Sequence, residues 1–472
     1  MGSELSKFKN AEPESEYFCL CSTNSGETIV AIHGDKETQN TVRSTLERWA
    51  PCPLKKVDRH GTATSFHLSK PILWDWDSGD SLCEPTEEML FHLVSDIRHM
   101  GWDLMITAVL SDNERISALF FQRSQFQPES QGFLGVSRNR WNKLFVHFGT
   151  PQVISMVRQS VDLVYDIEKE SNLNKGVHEF TLKGMPWTDK DDTEESIVAR
   201  KLNLQIIQDF YHNGYKLYGN LMAASWGDNM YFSPDKERIK RGTTQQFFVL
   251  SLVSTNTIRL MDSDVGTIEL VKRCVNKHWP QGVQDFSYYK HQNCFEIQLL
   301  GRPWTGSGEH NTRANLLLLM LLQTLLENGW SVLTDLDVSR RSTENAVFVM
   351  RSCRPKTVPH ICITPIAPNI LKIINAPGEL ATIIGQTVQT HYLNGSTVQK
   401  WKQGASWLEL QGKPWEESVL PKHTMLKLLA KLQSLGWQVM VTADVTVVGQ
   451  DGWRVNSWFM AKTGQQSDGS SQ

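Results

Sequence analysis

Residues 321–333 read Leu-Leu-Gln-Thr-Leu-Leu-Glu-Asn-Gly-Trp-Ser-Val-Leu, and the interpretation of the whole chain begins from this stretch. Its apolar residues lie three or four positions apart, which indicates the buried stripe of an amphipathic helix. Gly329 suits a left-handed cap at the end of that helix. The alternating residues after Trp330 indicate a strand. The stretch therefore predicts a helix that ends at a Gly-aromatic pair and leads directly into a strand.

The same Gly-aromatic pair recurs at intervals of about 110 residues, which is the pattern of an internal repeat. The four pairs are Gly101-Trp102, Gly214-Tyr215, Gly329-Trp330 and Gly436-Trp437. A proline precedes each pair in the same register, at Pro71, Pro186, Pro303 and Pro414. The last three prolines belong to the motif Gly-x-Pro-Trp. Two sets of landmarks in phase predict four tandem copies of one unit.

Each unit is predicted to be an α+β, two-layer structure of about 110 residues with the element order ββαβαββ, large enough for a small core. The four units could be arranged as two pairs, with the charged stretch Asp235–Arg241 as the linker between the halves. The predicted segments are a flexible N-terminal acylation segment 1–16, unit 1 at 17–126, unit 2 with the linker at 127–242, unit 3 at 243–356, unit 4 at 357–464 and a disordered tail 465–472.

Composition narrows the class of protein. The chain has 48 Lys and Arg against 51 Asp and Glu, a formal net charge of -3. This balance argues against a protein that coats nucleic acid, so no nucleic-acid partner is expected. The eight cysteines are scattered and form no Cys-x-x-Cys pair, which favours free thiols over disulfides or zinc. No apolar run approaches the roughly 20 residues that a membrane-spanning helix needs.

The sequence contains no recognisable catalytic signature. P-loop, Gly-x-Gly-x-x-Gly, His-Glu-x-x-His and Gly-x-Ser-x-Gly motifs do not occur. We therefore assign no catalytic, cofactor-binding or metal-binding residue. One recurrent basic position, at Arg123, Arg351 and Lys462, ends the last strand of three units. These residues could contact lipid phosphate or a partner's carboxylate. Alternatively, they are strand-end charges that protect a sheet edge from aggregation.

The amino terminus carries a candidate lipidation site. Gly2 is followed by Ser6 and Lys7, which fits the acceptor pattern for N-myristoylation. A single myristoyl chain binds bilayers only marginally, with an association constant on the order of 10⁴ M⁻¹, so stable anchoring needs a second signal. Lys7 and Lys9 supply only a weak basic supplement, because acidic residues surround them. We therefore expect the protein to divide between membrane and cytosol.

This combination resembles the raftlin family. Raftlins begin with a myristoylated glycine and a Leu-x-Lys-like continuation, here Leu5-Ser6-Lys7, and contain a helix–Gly-Trp–strand–strand segment ending in a basic residue. Leu93–Arg123 has that character. The likeness covers a minority of the chain and departs at Ser3, where raftlins carry a palmitoylated cysteine. The resemblance implies a non-enzymatic membrane-associated adaptor at the inner face of the plasma membrane.

Two function classes follow. The first is a lipid-anchored adaptor or scaffold at the cytoplasmic face of the plasma membrane, with a cytosolic fraction, a raftlin-like role in raft organisation and signalling, and protein partners not identified by the sequence. The second is an enzyme, or a small-ligand-binding protein, with a site between paired units. Four copies without a repeated titratable constellation favour the first.

Overall fold

The computed structural model describes residues 5–11, 15–23, 26–72, 83–111, 117–124, 132–139, 142–173, 176–187, 193–222, 228–235, 245–289, 292–305, 309–336, 338, 346–366, 368–395, 400–402, 405–415, 419–445 and 455–463. Within them, the chain has the predicted α+β class, with four antiparallel sheets and their helices following one another in sequence as four units. A short 3₁₀ helix, Ser6–Asn10, precedes the first unit.

Units 1 and 2 contain the same succession of elements. Those of unit 1 are β1 (Tyr17–Thr23), β2 (Thr28–His33), α1 (Lys36–Trp49), β3 (Leu54–His60), β4 (Ala63–Leu68), α2 (Cys83–His99), β5 (Trp102–Ala108) and β6 (Ala118–Arg123). Those of unit 2 are β7 (Leu134–Asn139), β8 (Lys143–His147), α3 (Pro151–Asp162), β9 (Ile167–Leu173), β10 (Val177–Leu182), α4 (Glu194–His212), β11 (Tyr215–Met222) and β12 (Asp228–Pro234).

Units 3 and 4 continue the pattern. Those of unit 3 are β13 (Phe247–Val253), β14 (Thr257–Met261), α5 (Val265–His278), β15 (Val283–Tyr289), β16 (Cys294–Leu299), α6 (Glu309–Glu327), β17 (Trp330–Leu336) and β18 (Val347–Ser352). Those of unit 4 are β19 (His360–Ile366), β20 (Ile370–Ile374), α7 (Gly378–His391), β21 (Lys400–Lys402), β22 (Ala405–Glu409), α8 (Leu420–Ser434), β23 (Trp437–Ala443) and β24 (Ser457–Lys462).

Each unit folds into one six-stranded antiparallel sheet. The first sheet has the strand order β3-β4-β2-β1-β6-β5, and the other three described sheets have the corresponding order. The strand after each Gly-aromatic pair, β5, β11, β17 or β23, is therefore an edge strand. The glycine that precedes it has a φ between 80° and 89°, the left-handed conformation that the sequence predicts.

The predicted unit omitted one strand. Two strands, not one, lie between the two helices of each unit, so the element order is ββαββαββ. The additional strands β3, β9, β15 and β21 are the outer edge of each sheet. In β3, β9 and β15 no side chain is fully buried. Such a strand shows no apolar alternation, which explains why the sequence pattern did not reveal it.

The units form a closed ring, not two pairs. The second helix of each unit packs on the first strand of the next unit: α2 on β7, α4 on β13, α6 on β19 and α8 on β1. We call these contacts seams 1–2, 2–3, 3–4 and 4–1. Each sheet thus has its own helices on one face and the preceding unit's second helix on the other. The core of unit 4 consequently continues into Cys19, Val30 and Phe120 of unit 1.

Candidate functional site

The four Gly-aromatic strands meet at the centre of the ring. β5 contacts β11, β11 contacts β17, β17 contacts β23, and β23 contacts β5. Each of these strands carries a β-bulge at the third residue after its aromatic residue. The bulged residues are Met105, Tyr218, Leu333 and Met440. Bulges redirect a side chain and often lie next to functional sites. All four of these residues line a shared central cavity of about 200 Å³.

A set of hydrogen bonds joins the strands around this cavity. The residues involved are the fifth after each aromatic residue: Thr107, Asn220, Asp335 and Thr442. The Thr107 hydroxyl donates to the Asn220 carbonyl at 2.8 Å, and the Asn220 amide donates to the Asp335 carbonyl at 2.6 Å. The Thr442 hydroxyl donates to the Thr107 carbonyl at 2.5 Å. Equivalent side chains therefore bond units 1, 2 and 4 to the unit that follows each of them in the ring.

Unit 3 does not form the corresponding bond, because its residue at this position, Asp335, is an aspartate. An ionised carboxylate has no hydrogen to donate, and Asp335 Oδ1 instead accepts from the Val347 amide at 2.9 Å. Asp444 also lines the cavity, where its carbonyl accepts from the Ala346 amide at 3.1 Å. The cavity lining thus combines the bulged residues, three of which are apolar, with polar groups that include two carboxylates. Such a space can hold a small, partly polar molecule.

A second group of polar residues is buried in seam 1–2. Glu87 on α2 meets Ser137 on β7 and His147 on β8, and all three are at most 5% exposed. The Ser137 hydroxyl lies 2.7 Å from Glu87 Oε2 and 2.8 Å from His147 Nε2. In a catalytic triad, however, the carboxylate binds Nδ1 and the serine binds Nε2. Here Glu87 lies 3.7 Å from Nε2 and the group is buried, so its geometry fits inter-unit bonding.

Seam 4–1 contains a buried pair of histidines. His33 Nε2, at the end of β2, lies 3.1 Å from His423 Nδ1 on α8. Burial is the main reason that the pKa of both imidazoles is lowered to about 3. Repulsion from Lys427 and His391 contributes to this lowering for both, and His423 contributes for His33. Both side chains are therefore neutral at physiological pH. Phe8 of the N-terminal 3₁₀ helix packs edge-on against His423 with ring centroids 5.2 Å apart.

The N-terminal segment contributes to the core, which the sequence-based expectation of a flexible segment 1–16 did not include. Leu5 is 2% exposed and Phe8 is fully buried. Both belong to the hydrophobic cluster that joins units 4 and 1. The Lys7 ammonium also binds the Asn394 side-chain oxygen. The polar composition of the segment concealed these two apolar anchors. Gly2, the candidate acylation site, lies outside the described residues.

The candidate basic residues differ in their surroundings. The Arg123 guanidinium pairs with Asp35, donates to the Met100 carbonyl at 3.0 Å and lies 4.2 Å from the centre of the Trp102 ring. Arg351 donates to the Tyr211 hydroxyl across seam 2–3 at 3.5 Å. Lys462 is exposed on the surface. Arg123 and Arg351 therefore have partners within the chain, whereas the Lys462 side chain is exposed to solvent.

Strand register shows that Arg351 is not the equivalent of the other two. Arg123 pairs with Trp102 and Lys462 pairs with Trp437, each the aromatic residue of its unit. Arg351 pairs with Ser331, one residue later, and Ser352 takes the position opposite Trp330. A shift of one residue moves a side chain to the other face of a sheet. The predicted recurrent basic position is therefore present in units 1 and 4 only, among the described strands.

The Pro-Trp turns form part of the core. Trp187, Trp304 and Trp415 are buried, and their indole N–H groups donate to the carbonyls of Lys143, Thr257 and Ile370, the first residues of β8, β14 and β20. In unit 1 the residue after the proline is Ile72, which is also buried. Each turn thus closes the core of its own unit.

A single domain-family model matches the chain three times, over residues 132–231, 246–351 and 359–461. These segments together make up more than half of the chain. The chain belongs to this domain family. Its description names a domain and no activity, and it does not indicate raftlin. No curated protein shows a significant match.

The three family matches coincide with units 2, 3 and 4, which confirms the repeat for these units. Among the described residues, no group of three or more His, Cys, Asp or Glu side chains is placed to hold a metal ion. In the same part of the chain, no helix is both long enough and apolar enough to cross a membrane.

The sequence analysis did not identify the central cavity or the buried polar residues of the seams. Aligning the four units by their aromatic residues brings such polar residues into one column. Counting fifteen residues back from each aromatic residue gives Glu87, Arg200, Asn315 and Lys422. All four are at most 5% exposed on otherwise apolar helix faces. A polar residue at the same place in every buried stripe indicates a contact beyond the unit itself, because buried polar groups require partners.

Proposed function

We propose that the protein is a non-enzymatic scaffold, anchored by an N-myristoyl group on Gly2 to the cytoplasmic face of the plasma membrane, with a cytosolic fraction and with protein partners bound on its outer surface. A raftlin-like role in raft organisation and signalling belongs to this proposal. The observation that carries it is the docking of Leu5 and Phe8 at seam 4–1. Gly2 precedes Leu5 by three residues, and three residues of chain span at most about 11 Å.

Such a short tether would hold the ring close to the bilayer in a limited range of orientations. A scaffold benefits from this arrangement, because its partner-binding surfaces would then face one direction. The use of buried polar groups supports the same proposal. Glu87, His147, His33 and His423 bond one unit to another inside the seams. A catalytic group must instead reach a substrate.

We further propose that unit 1 is a diverged fourth copy of the family domain, which would complete four tandem units. It has the same sheet order, the same bulge and the same seam contacts as the three matched units. Its most visible difference is Ile72 in place of the turn tryptophan. The boundaries proposed for the four units, 17–126, 127–242, 243–356 and 357–464, place every described sheet within one unit.

The anchoring proposal is tested by Gly2→Ala in cells labelled with a myristate analogue. Wild-type protein should carry the label and divide between membrane and cytosol, because one myristoyl chain binds only marginally. Gly2→Ala should lose the label and shift to the soluble fraction with an unchanged melting temperature. Ser3→Ala, next to the acceptor glycine, is the matched control and should behave as wild type. Label retained by Gly2→Ala, or unchanged partitioning after its loss, would contradict the proposal.

The central cavity supports a second candidate, a small-ligand-binding protein whose site lies between the units. Its volume of about 200 Å³ exceeds the roughly 150 Å³ that suffices for benzene in an engineered protein cavity. Native mass spectrometry of the purified protein should then detect a bound small molecule. Leu333→Trp, which enlarges an apolar side chain of the lining, should remove that molecule without unfolding the ring. An identical mass for the wild-type protein before and after denaturation would argue against this candidate.

A further inference from the structure

The seams differ at one equivalent position, four residues before the aromatic residue of each Gly-aromatic pair. In seam 1–2 this residue is Arg98, whose guanidinium lies 5.4 Å from the Phe133 ring and 5.0 Å from the Tyr218 ring. In seam 2–3 it is Tyr211, which packs edge-on against Phe247 at 5.3 Å. In seam 4–1 it is Gln433, whose amide donates to Gln122 at 2.6 Å. Each of these side chains bridges to the next unit.

In seam 3–4 the equivalent residue is Leu326, which carries no polar group and is shorter than arginine or tyrosine. A groove of about 990 Å³ lies at this place. Its floor presents the half-buried apolar side chains of Trp330, Val332 and Val439, with the buried Leu322 and Leu326 also in the lining. The polar residues Ser331, Thr357, Gln438 and Thr463 complete the lining. The substitution of an apolar leucine for a bridging residue leaves this surface available to another molecule.

The rim of the groove is basic. Among its described lining residues, the charged ones are Lys356 and Lys462, and both are exposed. The Lys356 amide donates to the Leu326 carbonyl at 3.0 Å, which fixes this part of the chain beside the floor. An apolar floor with positive charges at its edge is complementary to a molecule that has a hydrocarbon chain and an anionic head.

We propose that the groove at seam 3–4 binds an anionic membrane phospholipid, with an acyl chain on the floor and the head group at Lys356 and Lys462. This inference rests on the proposed attachment to a membrane. One myristoyl chain requires a second signal for stable binding, and lysines near an anionic leaflet provide one. Lys462 thereby acquires the lipid contact that its sequence position suggested.

The test uses full-length protein produced without acylation, so the result does not depend on Gly2. Binding is measured by co-sedimentation with vesicles of phosphatidylcholine alone or mixed with phosphatidylserine. Wild-type protein should bind the mixed vesicles and bind phosphatidylcholine weakly. Lys356→Glu/Lys462→Glu should reduce binding by at least about tenfold. The matched control Lys277→Glu/Lys431→Glu changes the net charge equally at exposed positions outside the groove and should bind as wild type.

A second set of variants tests whether the acyl chain occupies the floor. It introduces at position 326 a glutamine, the residue that unit 4 has at the equivalent position. Leu326→Gln should weaken binding about tenfold, whereas the volume-conserving Leu326→Met should not. Melting temperatures show whether each variant folds, and the methionine variant keeps the test valid if glutamine destabilises the seam. Equal losses in the two charge-reversed proteins, or uptake of oleate without binding to phosphatidylserine vesicles, would overturn the proposal. Success or failure here leaves the result for Gly2→Ala unaffected.

Discussion

At the residue scale, the chain uses polar side chains mainly to connect its units. Ser137 binds Glu87 in seam 1–2, and Arg259 donates to the Ser196 hydroxyl at 3.2 Å in seam 2–3. Lys372 donates to the Thr312 hydroxyl at 2.6 Å in seam 3–4. Seam 4–1 has its histidine pair. The polar contacts differ chemically from seam to seam. A helix placed against the wrong sheet would therefore leave buried polar groups without hydrogen bonds, which lowers the free energy of unfolding.

The histidine pair makes seam 4–1 sensitive to acid. His33 and His423 have pKa values of about 3 in the folded protein, chiefly because of burial, against about 6.5 when unfolded. Their stabilising contribution is therefore complete above about pH 6.5 and is lost as the pH falls toward 3. Each pH unit in that window should lower the free energy of unfolding by about 1.4 kcal/mol per histidine.

The charged and titratable groups that act on this pair include Lys427 and His391. Urea unfolding of the wild-type protein between pH 7 and pH 4.5 measures how steeply the free energy of unfolding depends on pH. His423→Gln keeps a hydrogen-bonding side chain but cannot titrate, so its stability should depend less steeply on pH. His99→Gln, at the exposed end of α2, is the control. If His423→Gln and wild type gave the same slope, the pair would not be the origin of the acid sensitivity.

At the element scale, the sequence predicted what each unit requires locally. The apolar stripes, the capping glycines and the Pro-Trp turns satisfy constraints within about 110 residues, and such constraints appear directly in the sequence. The outer strand β3 and the register of Arg351 were missed, because each depends on pairing with a neighbouring strand. The bulge residues, such as Met105 and Tyr218, were missed for the same reason.

The capping glycines allow a matched test of backbone conformation. Gly101 has φ +82°, and a Cβ there would meet no atom within 4 Å, so Gly101→Ala introduces only backbone strain. A left-handed conformation costs a residue with a Cβ about 1–2 kcal/mol. Gly378 begins α7, where a Cβ would also meet open space. Gly378→Ala should therefore stabilise by about 0.4–1 kcal/mol.

Thermal unfolding of the two variants checks these opposite signs. Gly101→Ala should melt below wild type and Gly378→Ala at or above it. Equal decreases in melting temperature would show that alanine destabilises the protein at both sites. The left-handed cap would then not explain why the spacing between helix and strand is the same in every unit.

At the scale of the whole molecule, the closed ring was not predictable from one unit. A sheet whose own helices cover one face must bury its other apolar face against a further element, and the sequence of one unit does not identify that element. The first sheet buries Cys21, Ile32 and Phe120 against unit 4, which is almost the whole chain away in sequence. This pairing of the first and last units depends on shape and on the polar sets of the seams, not on any local pattern.

A closed ring and two independent pairs of units should behave differently when the chain is cut between units 2 and 3. A break within the linker Asp235–Arg241 gives two halves, each of which loses seams 2–3 and 4–1. Each half then exposes one sheet face and one helix face that are buried in the ring, including Val249 and Val349 of unit 3 and Leu426 of unit 4. Exposed apolar faces of this kind favour association. The separate halves should bind the dye ANS and self-associate.

When the two halves are expressed together, they should form a complex of one copy each that binds little ANS and melts cooperatively. Size-exclusion chromatography with light scattering measures its mass. A break inside α6, at residues 318–319, is the control, because it divides a unit and should prevent reassembly. If the two pairs were instead independent, each half would be a monomer with a sharp melting transition and no added ANS binding, and mixing would change neither. The ring contacts at β1 and β13 would then contribute little to folding, since their loss would leave each half stable.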